Sequence, residues 1–161
     1  MKPERESLAA LSAVIDHDIA ALRRLAAELG SLAAALEVPG CGFRELAAAG
    51  YLLHNLYNAL ENSFEQISRT FENHVVDRGR WHRELLDKMF LTIPDVRPAV
   101  MPETTRAMLH DLRGFRHLFR HGYSFELDRD RVHALASRWL KEQDVILAAL
   151  GHFRDYLLSG Q

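Results

Sequence analysis

Arg113, Arg116, His117, Arg120, His121 and Tyr123 stand within one eleven-residue stretch, RGFRHLFRHGY at 113–123. Cutting RNA through its own 2′-hydroxyl asks an enzyme for three things. These are a base for the hydroxyl proton, an acid for the leaving oxygen, and positive charge for the crowded phosphorane. Imidazole can take or give a proton near neutral pH. Guanidinium stays charged and grips phosphate oxygens with two donors. From Arg106 to Arg120 four arginines (106, 113, 116 and 120) face one acid, Asp111, and His110, His117 and His121 lie in or beside that run. The chain has a formal net charge of −2, which argues against a generally basic coat, and the basic run suggests a local anion site. On charge alone, a solvated helix face explains the run equally well.

The elements that must position these residues are helical. Leu8, Leu11, Ile15, Ile19, Leu22, Leu25 and Leu29 recur at steps of three and four and mark a first helix. It should end near Glu37, before the breaker Val38-Pro-Gly-Cys-Gly42. Leu53, Tyr57, Leu60, Phe64, Ile67 and Phe71 mark a long second helix, from about Phe43 to about Val76. Trp81 to Phe90 reads as a short third helix, and a loop with Pro94, Pro98 and Pro102 follows. The fourth helix begins near Thr104 and stops at Gly122, and Asp128 can cap a fifth. The expected fold is all-α, an antiparallel bundle of four long helices plus one short helix, in a single domain over 1–161.

Arg116 and His121 are five residues apart, about 140° around an ideal helix. They would not share a face if the helix ran straight, so a bend at Gly122 is expected to bring His121 toward Arg116. His117 lies one turn from Arg113, and Arg120 one turn from Arg116, which broadens the basic surface. One copy looks thin for both acid and base; two copies across a dimer axis would supply a pair of histidines.

Other chemistry finds little support. No glutamate has a histidine three residues later, His-Glu-x-x-His is absent, and one cysteine cannot build a zinc thiolate set, so no metal is expected. No Gly-rich phosphate loop implies a nucleotide cofactor, and none is expected. Cys41 reads as a small loop residue. His17, His54, His74, His82, His133 and His152 are scattered and read as surface or satisfied interior histidines. The N-terminal sequence lacks the apolar core of a signal peptide, and no apolar run reaches membrane-span length. No membrane partner and a cytoplasmic location are therefore expected.

Arg116-x4-His121-x-Tyr123 resembles the R-x4-H-x-Y signature of HepT-like toxins in the HEPN superfamily. The flanks LRGF at 112–115 and SFELD at 124–128 look similar, and YLLHNLYNALEN at 51–62 does so more loosely. The resemblance implies a HEPN-like bundle that dimerises around the motif helix and cleaves RNA without metal. It makes Arg116 and His121 catalytic, with His117 and Arg120 in support. It also implies a type VII-like toxin–antitoxin pair, in which a minimal nucleotidyltransferase antitoxin adenylylates Tyr123. Adenylate there would bring phosphate beside Arg116 and Arg120 and compete with RNA. Glu61, on the second helix, could orient the motif residues, but a plain polar position is the preferred reading. The alternatives are a non-catalytic nucleotide-binding or nucleotidyltransferase-partner module, and a plain dimeric scaffold.

Overall fold

Leu11, Ile15, Leu22, Ala26 and Leu29 are all buried, and they hold helix α1, Arg5–Glu37, against its neighbours. The computed structural model of the chain describes residues 3–72, 80–121 and 126–159. At 33 residues α1 is roughly 50 Å long. It stops where Val38 turns extended, and Gly40 carries the positive φ of 86° that the reversal needs. Helix α2, Phe43–Glu72, returns alongside, with Leu53, Leu56, Tyr57, Leu60, Phe64 and Ile67 fully buried.

A buried acid fixes the register of this antiparallel pair. Asp18 on α1 accepts hydrogen bonds from Asn62 Nδ2 at 2.9 Å and Ser63 Oγ at 2.7 Å on α2. Helix α5, Arg129–Leu158, runs antiparallel to α1 and also touches α2, where the Phe153 and Phe71 rings meet at 6.0 Å. Arg129 Nη1 donates to the Val38 carbonyl at 3.1 Å near one end, and Arg154 Nη1 to Asp16 Oδ1 at 2.6 Å near the other. Asp128 caps α5 as its sequence suggests, accepting from the backbone N–H groups of Asp130 and Arg131.

Two further helices complete the bundle: α3, Trp81–Met89, and α4, Arg106–His121, which a 3-10 turn at Glu103–Thr105 introduces. The loop between them is clamped to the end of α2. Arg97, whose side chain is fully buried, donates to Glu72 through Nε and Nη2 and to the carbonyls of Lys88, Leu91 and Pro98. Burial opposes a charge on Glu72. The hydrogen bonds from Arg97 and from Lys88 Nζ outweigh it and hold that carboxyl below its ordinary range.

α4 lies antiparallel to α2, with Arg116 opposite Glu61 and Phe119 opposite Gly50. A Cβ at Gly50 would come within 2.9 Å of the Phe119 ring, so only glycine permits this approach. Phe119 also stacks on Phe115 at 5.9 Å and packs against His54 at 5.4 Å. These contacts seat the last turn of α4, and with it the arginines and histidines singled out above. The all-α architecture is therefore as expected. The second helix is described only to Glu72, and its anticipated extension to Val76 lies outside the described residues. No helix among the described residues is long and apolar enough to cross a membrane.

Candidate active site at the end of helix α4

Positions 113, 116, 117, 120 and 121 fall within an arc of about 140° on an α-helix, with Arg116 at one edge and His121 at the other. The side chains of all five line one notch, and His82 of α3 completes it. The expected bend is therefore unnecessary. α4 stays helical through His121, and the length of the Arg116 side chain makes up the angular offset. Gly122 and Tyr123 lie outside the described residues.

The two central residues of the motif occupy opposite environments. His121 is exposed, as are His117 and Arg120, and the His117 and His121 rings approach to 4.8 Å at an angle of 50°. Arg116 is buried, with only 8% of its side chain exposed. Its Nη1 donates to Glu61 Oε1 at 2.8 Å, and its Cζ sits 5.5 Å from the centre of the Tyr57 ring. The other oxygen of Glu61, Oε2, lies 2.8 Å from His82 Nδ1. Both oxygens of one buried carboxylate are thus used, one for each motif-facing cation or imidazole.

Glu61 is consequently not the plain polar position that its sequence suggested. Its side chain is only 9% exposed, and it anchors Arg116. A signal for this was present. Glu61 stands four residues after Tyr57 and three before Phe64, on the apolar stripe of α2 that faces the core. His82 was read as one of the scattered histidines and instead borders the notch, 21 residues from its partner in sequence. No periodicity marks it.

The basic run divides in two. Arg106 pairs with Asp87 at 2.9 Å and with Glu103, and His110 Nε2 lies 2.8 Å from the same Asp87 oxygen. Those groups brace α4 against α3 and the 3-10 turn, away from the notch. Arg113 and Arg120 have no ion-pair partner among the described residues. Three guanidiniums against Glu61 leave the notch two charges positive when its histidines are neutral. The Nε groups of Arg113 and Arg116 are buried without an acceptor among the described residues. Such donors, stripped of water, would be satisfied by an entering oxyanion.

The field extends to neighbouring groups. Burial first, then the charges of Arg116 and Arg120, lower the pKa of His54, whose Nε2 lies 3.0 Å from the Asn58 amide nitrogen. Burial first, then the Glu61 carboxylate, raise that of Tyr57 and keep its hydroxyl protonated beneath Arg116. The notch itself measures about 40 Å³, a volume on the scale of a water molecule or two. In one chain it can grip phosphate oxygens but cannot enclose a nucleotide. No group of three or more His, Cys, Asp or Glu side chains suited to a metal ion occurs among the described residues.

A family model described as HepT-like protein matches residues 48–157, from within α2 to the last turn of α5. The match spans about two thirds of the chain and contains the whole notch. The chain belongs to the HepT-like family of the HEPN superfamily. No curated protein and no solved structure shows significant similarity to it. The whole of this HepT-like protein's first helix lies outside the family match, although it packs extensively on α2 and α5.

Glu61→Ala would strand the Arg116 guanidinium without its buried counter-charge. Unfolding followed by calorimetry should then show a loss on the order of 3 kcal/mol. For a chain of this size the midpoint should drop by roughly 6–12 °C. An unchanged midpoint would mean that Arg116 finds another anchor or turns out to solvent.

Proposed function

We propose that this protein is a metal-independent endoribonuclease, the toxin of a type VII-like toxin–antitoxin pair, and that it cleaves RNA at the end of α4. The observation that carries the reading is the gathering of Arg113, Arg116, Arg120, His117 and His121 around one positively charged notch, in a chain of the HepT-like family. In this reading Arg116 and His121 are catalytic. Arg116 braces the phosphorane and His121 transfers a proton, while His117 and Arg120 hold the scissile phosphate and its neighbour. The 2′-hydroxyl attacks phosphorus, the bond to the 5′-oxygen breaks, and the products carry a 2′,3′-cyclic phosphate and a 5′-hydroxyl. The small size of the notch supports a homodimer in which a second copy widens the cleft. The proposed partner is a minimal nucleotidyltransferase antitoxin that adenylylates Tyr123 and so sets phosphate against Arg116 and Arg120.

A second reading draws on a different observation. Arg116 is buried and its charge is already matched by Glu61. That favours a non-catalytic module, in which the outer residues Arg120, His117 and His121 bind a nucleotide or dock the nucleotidyltransferase.

Incubation of the pure protein with RNA in the presence of a chelator separates the two. The nuclease reading expects cutting, with a loss of at least ~100-fold in both Arg116→Ala and His121→Ala. His121 is exposed, so its variant should fold normally and report on chemistry. Wild-type activity in His121→Ala would overturn the catalytic assignment, and binding of RNA without any cutting would favour the module. For control by modification, mass spectrometry after co-expression with the nucleotidyltransferase should place adenylate on Tyr123. A modified protein lacking it there would refute the silencing proposal and leave the nuclease intact.

A further inference from the structure

We propose that His82 is a second proton-transfer residue of the site, the base that takes the 2′-hydroxyl proton, and that Glu61 holds it in the form this requires. The inference rests on the nuclease reading above and deepens it. It begins from the contact between His82 Nδ1 and Glu61 Oε2, 2.8 Å apart. An ionised carboxylate only accepts, so Nδ1 carries the hydrogen, and in the neutral ring Nε2 carries the lone pair. Arg116 Nη1 carries two hydrogens: one goes to Glu61 Oε1 at 2.8 Å, and the other faces the same Nδ1 only at 3.4 Å, so the nearer, charged Glu61 oxygen decides that Nδ1 donates.

Three further observations make Nε2 a usable base. His82 lines the notch together with His121, on the opposite wall contributed by α3. Its side chain is 40% exposed, against 9% for Glu61, so the ring is open to substrate at one end and anchored at the other. The Trp81 ring packs edge-on against it at 4.6 Å and limits its rotation. A carboxylate behind an imidazole also stabilises the imidazolium that forms on proton uptake, as in other enzymes that orient a histidine with an acid. One chain then holds both proton carriers on facing elements.

The step balances. His82 Nε2 accepts the 2′-hydroxyl proton as the 2′-oxygen bonds to phosphorus. The bond from phosphorus to the 5′-oxygen breaks, and His121, entering as imidazolium, gives its proton to that oxygen. His82 leaves protonated and His121 neutral, and exchange with solvent restores both. The groups that face His82 are Glu61 from α2 and Arg113, Arg116, His117, Arg120 and His121 from α4.

His82→Asn tests this in the full-length protein, because its amide nitrogen can replace Nδ1 as donor to Glu61 while no base remains. Single-turnover cleavage in chelator should fall by about 100-fold or more, with RNA affinity and melting midpoint close to wild type. The acid limb that a general base gives to the rate–pH profile should disappear. A substrate whose 5′-bridging oxygen is replaced by sulfur needs no acid for departure. It should restore His121→Ala to within about tenfold of wild type and leave His82→Asn impaired. Restoration of His82→Asn instead would make His82 the acid and overturn the assignment. If His82→Asn cuts RNA at the wild-type rate while His121→Ala is dead, the nuclease reading stands and this inference fails. If wild type cuts nothing, the nuclease reading fails and this inference with it. Nitrogen chemical shifts of His82 give a readout independent of turnover: they should show hydrogen on Nδ1, and hydrogen on Nε2 in the neutral ring contradicts the proposal.

Discussion

Glu61 is the residue on which the working end of this bundle depends. A guanidinium is costly to bury unless a counter-charge meets it with good geometry. Arg116 can sit against Tyr57 inside the bundle only because Glu61 reaches it at 2.8 Å. The same carboxylate secures His82. One side chain of α2 therefore sets the positions of groups on α3 and α4, and the two helices that line the notch share a single electrostatic joint with α2. A charge of this kind does little for net stability compared with an apolar replacement. Its use is to fix where Arg116 and His82 stand.

The packing around that joint gives the notch its asymmetry. On the face of α4 turned away from the notch, Phe115 and Phe119 stack, Phe119 presses on Gly50, and His54 is kept toward its neutral form by burial and nearby arginines. The outer wall holds the exposed Arg120, His117 and His121. Arg106 and His110, equally basic in sequence, are absorbed by Asp87 and take no part. A local excess of two positive charges thus survives in a chain with a net charge of −2. An anionic ligand can be held there without attraction over the rest of the surface.

Much of the bundle was legible because apolar periodicity and breakers are local signals. The stop at Glu37, the start at Phe43 and the Asp128 cap all stand where the sequence put them. The fourth helix differs at its start. Residues from Glu103 first form a 3-10 turn, and the α-helix begins at Arg106. The site was legible only along one helix. Arg116, His117, Arg120 and His121 are neighbours in sequence, and their spacing alone groups them. Their supports come from afar: Glu61 is 55 residues from Arg116, and His82 is 34. Such pairs are set by tertiary packing, which a single sequence does not display. Glu61 alone betrayed itself, as an acid on a stripe of Tyr57, Leu60 and Phe64. The expected bend at Gly122 lies outside the described residues, and the notch gathers without it for a simple reason. The helical angle was counted between backbone positions, whereas a long arginine side chain spans much of that arc.

The central claim is that the notch at the end of α4 turns an RNA's own 2′-hydroxyl against the adjacent phosphate. Its most direct test uses an oligonucleotide with one preferred cleavage position and a matched copy bearing a single 2′-deoxy residue there. The account predicts that the first is cut to a 2′,3′-cyclic phosphate and a 5′-hydroxyl, and that the second is not cut at that position. Cleavage of the 2′-deoxy substrate there, or fragments ending in a 5′-phosphate, would contradict it.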